Sequence, residues 1–249
     1  MFRGFNLTLN KNLSDFKSIG EALNVSNRAA VKKAFALFIE KDGVINGSQL
    51  QEYWFPQISA DVFISHSHQD RDVATSFAGW LSKTFQLKPF IDSCVWGYAD
   101  DLLKQINDKY CKNSDGKYEY EKIMNSASHV HMMLVSALGT MIDNTECLVF
   151  LNTPNSISAQ TVVSKTQSPW LYMEIATSNI LRRKDLQSHR QIMESAGVIR
   201  KAEVAKLKVE YDVSLHSLTA ITETNLAQWK ELYTKQGRHA LDALYAVAK

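Results

Sequence analysis

The sequence predicts an α/β protein built on a doubly wound parallel sheet, and three observations carry this. Val62-Phe-Ile64 and Cys147-Leu-Val-Phe-Leu151 are short continuous apolar runs, the length of a strand buried on both faces, and Lys88-Pro-Phe-Ile91 reads as a further short strand. Apolar residues at helical spacing follow each run, so strands alternate with helices as in β-α-β units. The 249 residues, 45% hydrophobic and 22% charged, supply an ordinary globular core.

The first 58 residues read as a helical N-terminal extension. Helical periodicity covers 14–23 and 26–39, with Ser26 placed to cap the second helix. Lys41-Asp-Gly43 and Asn46-Gly47 mark turns. Asp42 and Asn46 lack the spacing and the terminal Glu of a calcium loop. Residues 49–54 form a short helix stopped by Pro56.

The α/β domain is expected over 59–233. Strand 62–64 feeds a helix over 69–85, with Val73, Phe77, Trp80, Leu81 and Phe85 near one face. Strand 88–91 leads to a loop over 92–97 and a helix over 100–107. Residues 108–121 are polar and contain Asn113-Ser-Asp-Gly116, and an apolar-rich helix over 128–142 follows, so about 107–142 reads as an insertion. After the strand 147–151, the loop 153–168 holds seven Ser or Thr among its 16 residues. Ser168 then caps a helix reaching about residue 184, with Pro169 at its first position, where no N–H is needed. Residues 207–213 alternate as a fourth strand. Helical patterns cover 226–233 and 240–248, and 234–249 is expected to pack on the domain as a C-terminal helix.

Composition narrows the function. A net charge of +2 gives no reason to expect nucleic acid or an acidic surface as a partner, and the 12 Lys/Arg against 8 Asp/Glu after residue 180 read as a solvated face. Cys94, Cys111 and Cys147 are odd in number, widely spaced and outside any zinc pattern, which suits reduced thiols in a cytoplasm. The sequence has no run of 18 apolar residues and no signal-peptide core at Met1-Phe-Arg-Gly-Phe-Asn6, so a soluble, cytoplasmic protein without membrane contact is expected.

In a doubly wound sheet, ligands bind beyond the carboxyl ends of the strands, where the winding reverses. Residues 65–69, 92–97 and 152–154 lie at such ends. Ser168-Pro-Trp-Leu-Tyr-Met-Glu174 places Trp170 and Glu174 four apart on one helix face. The segment Asp61-Val-Phe-Ile-Ser-His-Ser-His-Gln-Asp70 allows two readings. As His66-x-His68-x-Asp70 it resembles the metal-binding run of metallo-β-lactamase-type hydrolases, although that run needs a further histidine where Arg71 stands. His129-Val-His131 falls in a helical pattern, where residues two apart face different ways.

In the second reading the chain resembles the TIR (Toll/interleukin-1 receptor) family. Asp61-Val-Phe-Ile-Ser65 with Asp70 is similar to the family's first box. Phe90-Ile-Asp92, Gly97 and Ile106 are similar to the second, and Ser168-Pro-Trp170-Leu-Tyr-Met-Glu174 fits its Ser-x-Trp-x-x-x-Glu run. The match covers about 59–181 well and the rest to about 233 loosely. It departs where Trp96 stands in a second-box loop without proline, and where 107–126 exceeds a typical linker.

The resemblance implies a flavodoxin-like fold and, as in many bacterial relatives of antiphage defence, cleavage of NAD as substrate with no further cofactor. It implies Glu174 as the catalytic residue, with Ser65, His66, Ser67, Asp92, Trp96, Gly97 and Trp170 around the substrate. Tyr172 and His131 are candidates to orient an acceptor, although helix packing accounts for both. Two partners are implied: a separate effector that senses the product, and TIR–TIR self-association. The competing class is a non-enzymatic adaptor joining partners through the second-box loop.

Overall fold

Phe5 and Leu7 alternate with Gly4, Asn6 and Thr8, a period of two that gives a strand two unlike faces. These residues form β1 (Arg3–Thr8). The computed structural model describes residues 1–9, 12–29, 45–91, 93–157, 165–166, 169–181, 183–186, 211–237 and 239–248. β1 is joined by β2 (Val62–Ser65), β3 (Pro89–Ile91), β4 (Cys147–Asn152) and, later in the chain, β7 (Thr219–Ile221). The five make an all-parallel sheet in the order β3-β2-β4-β1-β7. A separate antiparallel pair joins β5 (Lys165–Thr166) to β6 (Tyr211–Asp212).

The doubly wound α/β fold is as expected, with two corrections to its strands. Residues 1–58 are not a wholly helical extension, because β1 lies inside the sheet between β4 and β7. Within the expected fourth strand, 207–213, only Tyr211–Asp212 is strand among the described residues, and it pairs outside the main sheet; 207–210 lie outside the described residues. Two parallel neighbours, β4 and β7, satisfy the backbone groups of β1, so a segment with one partly polar face still holds a central position.

Helices cover both faces. Phe5, Leu7, Val62, Ile64, Val149 and Leu151 face α3 (Arg71–Phe85), α7 (Glu223–Gln236) and α8 (Ala240–Val247) in one core. Phe63, Phe90, Leu148 and Phe150 face α2 (Gly47–Trp54), α4 (Ser93–Tyr110), α5 (Tyr120–Asn144) and α6 (Pro169–Ile180) in the other. Helix α1 (Lys17–Ala29) rests on α3 through two glycines. A Cβ on Gly20 would stand 1.9 Å from the Thr75 carbonyl oxygen, and one on Gly79 would stand 2.0 Å from that of Phe16. Backbones can approach this closely only where side chains are absent.

Several helix boundaries differ from the sequence reading. Helix α1 continues through Ser26 to Ala29, so Ser26 is no cap; residues 30–44 lie outside the described ones. The expected loop 92–97 is helical from Ser93, the start of α4, while Asp92 lies outside the described residues. The insertion is a helical hairpin: α5 starts at Tyr120, and Lys112 and Tyr118 bridge the short link after α4. Helix α6 ends at Ile180 rather than near 184. Among the described residues no helix is long and apolar enough to cross a membrane.

Candidate active site at the carboxyl edge of the sheet

Strand β2 passes through α3 on one face to β3, whereas β4 is followed by α6 on the other face and the chain goes on to β7 at the opposite edge. The winding therefore reverses between β2 and β4, and their carboxyl ends flank the crevice where this fold binds ligands. The last residue of β2 is Ser65. Its side chain follows that of Phe63 on the α6 side, two residues along the pleat.

There Ser65 Oγ donates a 2.6 Å hydrogen bond to Glu174 Oε2 across 109 residues of sequence. Glu174 is 0% and Ser65 1% exposed. Burying a carboxylate is costly unless hydrogen bonds compensate, so this pair is a placed feature rather than a solvated charge. The rigid parts are evident: a central strand carries the serine, and the second turn of α6 carries the glutamate.

A second link ties the two strand ends. Asp70, 5% exposed, accepts hydrogen bonds from Thr153 Oγ1 and, at 2.8 Å, from Asn155 Nδ2. Ser67 is buried, and its carbonyl accepts the Asp70 N–H at 2.8 Å as the chain turns into α3. Thr153 and Ser156 close the opposite turn, with the Thr153 N–H donating to Ser156 Oγ at 2.8 Å. His66 is fully buried, and desolvation pulls its pKa from 6.5 down to about 4 against the opposing effects of the Ile64 backbone and Asp70. The ring is neutral at pH 7.

The structure does not bring His66 and His68 of the metal reading together. The 3-10 turn at His68–Asp70 leaves His68 exposed while His66 is enclosed. Among the described residues no three His, Cys, Asp or Glu are grouped so that they could hold a metal ion.

The remaining expected site residues divide. Trp170 is half-buried against the α5–α6 core and meets the His131 ring edge-to-face at 5.7 Å. Its position is thus explained by packing, four residues before Glu174. Tyr172 is 41% exposed. Gly97 lies in α4, and so does Trp96, whose side chain is outside the described ones, so neither sits in a loop over the crevice; Asp92 and Ser168 are outside the described residues. Sequence reasoning placed Thr153 in the strand-end stretch 152–154 without singling it out and missed Asn155, although Asn152-Thr-Pro-Asn155 after a strand is a turn signal. It also missed that β1 lies beside the site.

Compared with known proteins, the chain matches no family model, and no curated protein and no solved structure is significantly similar to it.

Proposed function

We propose that the chain is a TIR-like enzyme that cleaves the nicotinamide–ribose bond of NAD with Glu174 as its catalytic carboxylate. The observation that carries this reading is the buried Ser65–Glu174 pair at the winding reversal. Nicotinamide in NAD is already a cationic leaving group, so its departure calls for no general acid. What remains is to stabilise an oxocarbenium-like sugar and to hold the attacking group in line. One carboxylate can accept hydrogen bonds from the ribose hydroxyls and favour positive charge at the anomeric carbon. A second carboxylate, as in ordinary glycosidases, is not required.

Ser65 fixes one oxygen of Glu174 and so limits the directions in which the other can act. The backbone N–H groups at the turn into α3 suit a phosphate. Glu174 is fully buried, so the reading requires its cover to open before the sugar enters. Attack by water would give ADP-ribose; attack by an adenine nitrogen or another small molecule would give a cyclic or conjugated signal. Such a signal would serve a separate effector in cytoplasmic antiphage defence, and self-association would be one way to drive the opening. A non-enzymatic adaptor has no use for a carboxylate desolvated at a ligand-binding edge.

The test is free nicotinamide released from NAD by the purified chain, with mass spectrometry of the other product. Glu174→Gln keeps the shape and the bond to Ser65, and is expected to stay folded while turnover falls about 100-fold or more. Full turnover in that variant would remove Glu174 from the chemistry.

A further inference from the structure

The strand that the sequence reading placed in a helical extension brings a polar residue to the same row as Ser65. Ser65 of β2 is in register with Phe150 of β4, and Phe150 with Asn6 of β1. In a parallel sheet such partners share a face, and Phe150 faces α5 and α6. Asn6 therefore lies on the Glu174 side of the sheet, two strands from Ser65, a separation of about 10 Å.

The surroundings of Asn6 run from closed to open along β1. Toward the amino end, Leu218 covers Gly4 so closely that a Cβ there would stand 2.5 Å from Leu218 Cδ2. Toward the carboxyl end, Thr8 is exposed and its register partner Asn152 is half-buried. Asn6 stands between them. Its Oδ1 is buried and has no hydrogen-bond partner among the described residues. An orphaned buried acceptor in the middle of a central strand destabilises the fold, and Phe5 and Leu7 on the other face show that apolar residues suit this strand.

We propose that Asn6 is a substrate-binding residue of the Glu174 site, its Oδ1 accepting a hydrogen bond from an uncharged N–H or O–H group of the substrate. This rests on the NAD reading above. With the reacting ribose held at Glu174, the two donors of that kind close to the bond that breaks are the nicotinamide carboxamide and a ribose hydroxyl. The N-terminal strand is then a working part of the site and not a cover for the sheet edge.

Asn6→Leu separates this from a structural role. It removes the acceptor at similar volume and also relieves the orphaned atom. The variant is expected to melt at or above the wild-type temperature, to raise KM for NAD about tenfold and to leave kcat nearly unchanged. Asn6→Asp, which keeps an acceptor in place, is expected to stay closer to the wild-type KM. The analogue with a carboxylate in place of the carboxamide distinguishes the two donors. If Asn6 reads the carboxamide, Asn6→Leu erases the preference for NAD over the analogue; if it reads a hydroxyl, both KM values rise by the same factor.

A wild-type KM in Asn6→Leu overturns the proposal, and so does a large fall in its melting temperature, which would make Asn6 a structural residue. Raised KM in Asn6→Leu together with full turnover in Glu174→Gln would overturn the catalytic assignment and leave Asn6 standing. No nicotinamide release from the wild-type chain would overturn both.

Discussion

On the face covered by α3, α7 and α8, the interior is aromatic and its largest buried side chain, Trp229, has its indole N–H paired. Phe85 stacks on Trp229 with ring centroids 4.0 Å apart, Trp80 meets Trp229 edge-on at 5.8 Å, and the Trp229 indole donates to the Ala240 carbonyl at 2.7 Å. On the face covered by α5 and α6, the same sheet carries Ser65 and Asn6, with Glu174 of α6 bonded to Ser65: a desolvated carboxylate, and an amide oxygen with no hydrogen-bond partner among the described residues. Trp229 and Glu174 are both buried, so burial alone does not separate the two faces. The difference lies in the polar groups each face buries: an indole bonded to a backbone carbonyl on one, a carboxylate and an amide oxygen on the other. One face is built to hold the sheet, and the other accepts a cost in stability at the edge where this fold binds ligands.

Variants can break or sharpen this contrast. The largest stability effect is expected from Trp229→Ala, which opens the aromatic cluster and loses about 3–5 kcal/mol in urea unfolding. Turnover of NAD per folded molecule should not change, since the cluster lies across the sheet from Glu174. A selective loss of turnover would mean that the two faces are coupled.

His66 provides the next effect, read through pH. The unfolded chain takes up the histidine proton near pH 6.5 and the native chain only near 4, so between these values the unfolded state binds more protons. Stability is therefore full above about pH 6.5 and declines on acidification toward pH 4, by about 3 kcal/mol in all. Unfolding midpoints measured across this range should show the slope, and His66→Gln should flatten it.

Ser65→Ala removes the donor to Glu174 and leaves its Oε2 buried without that bond, an expected loss of about 1–3 kcal/mol. Turnover should fall with it. If stability drops and turnover holds, the pair is a structural tie between β2 and α6. The smallest effect is expected at the end of α3, where Gln86 adopts a left-handed backbone with φ 58° and donates its N–H to Ser82. Gln86→Gly should raise stability by about 0.5 kcal/mol, the left-handed strain outweighing the added freedom of the unfolded chain, and should leave turnover untouched.

Part of this contrast is legible in the sequence. The runs Val62-Phe-Ile64 and Cys147-Leu-Val-Phe-Leu151 are buried strands, and Ser65 and Glu174 stood out as candidate site residues. β1 escaped because its alternation of Phe5, Leu7 and Leu9 is short and precedes a strong helical pattern. The helical start of α4 escaped because Gly97 and a flanking Asp read as a loop, whereas the hydrogen bonding of an 18-residue helix overrides one glycine.

The sequence by itself determined the local terms: strand against helix from the period of apolar residues, and a short helix bearing one carboxylate. Only the tertiary structure decided the pairings. Strand order brought β1 against β4 and set Asn6 in the row of Ser65, and helix docking pressed Glu174 onto Ser65 from 109 residues away. Periodicity is a property of neighbours along the chain, whereas register and docking follow from which apolar faces bury one another, and that depends on the whole fold.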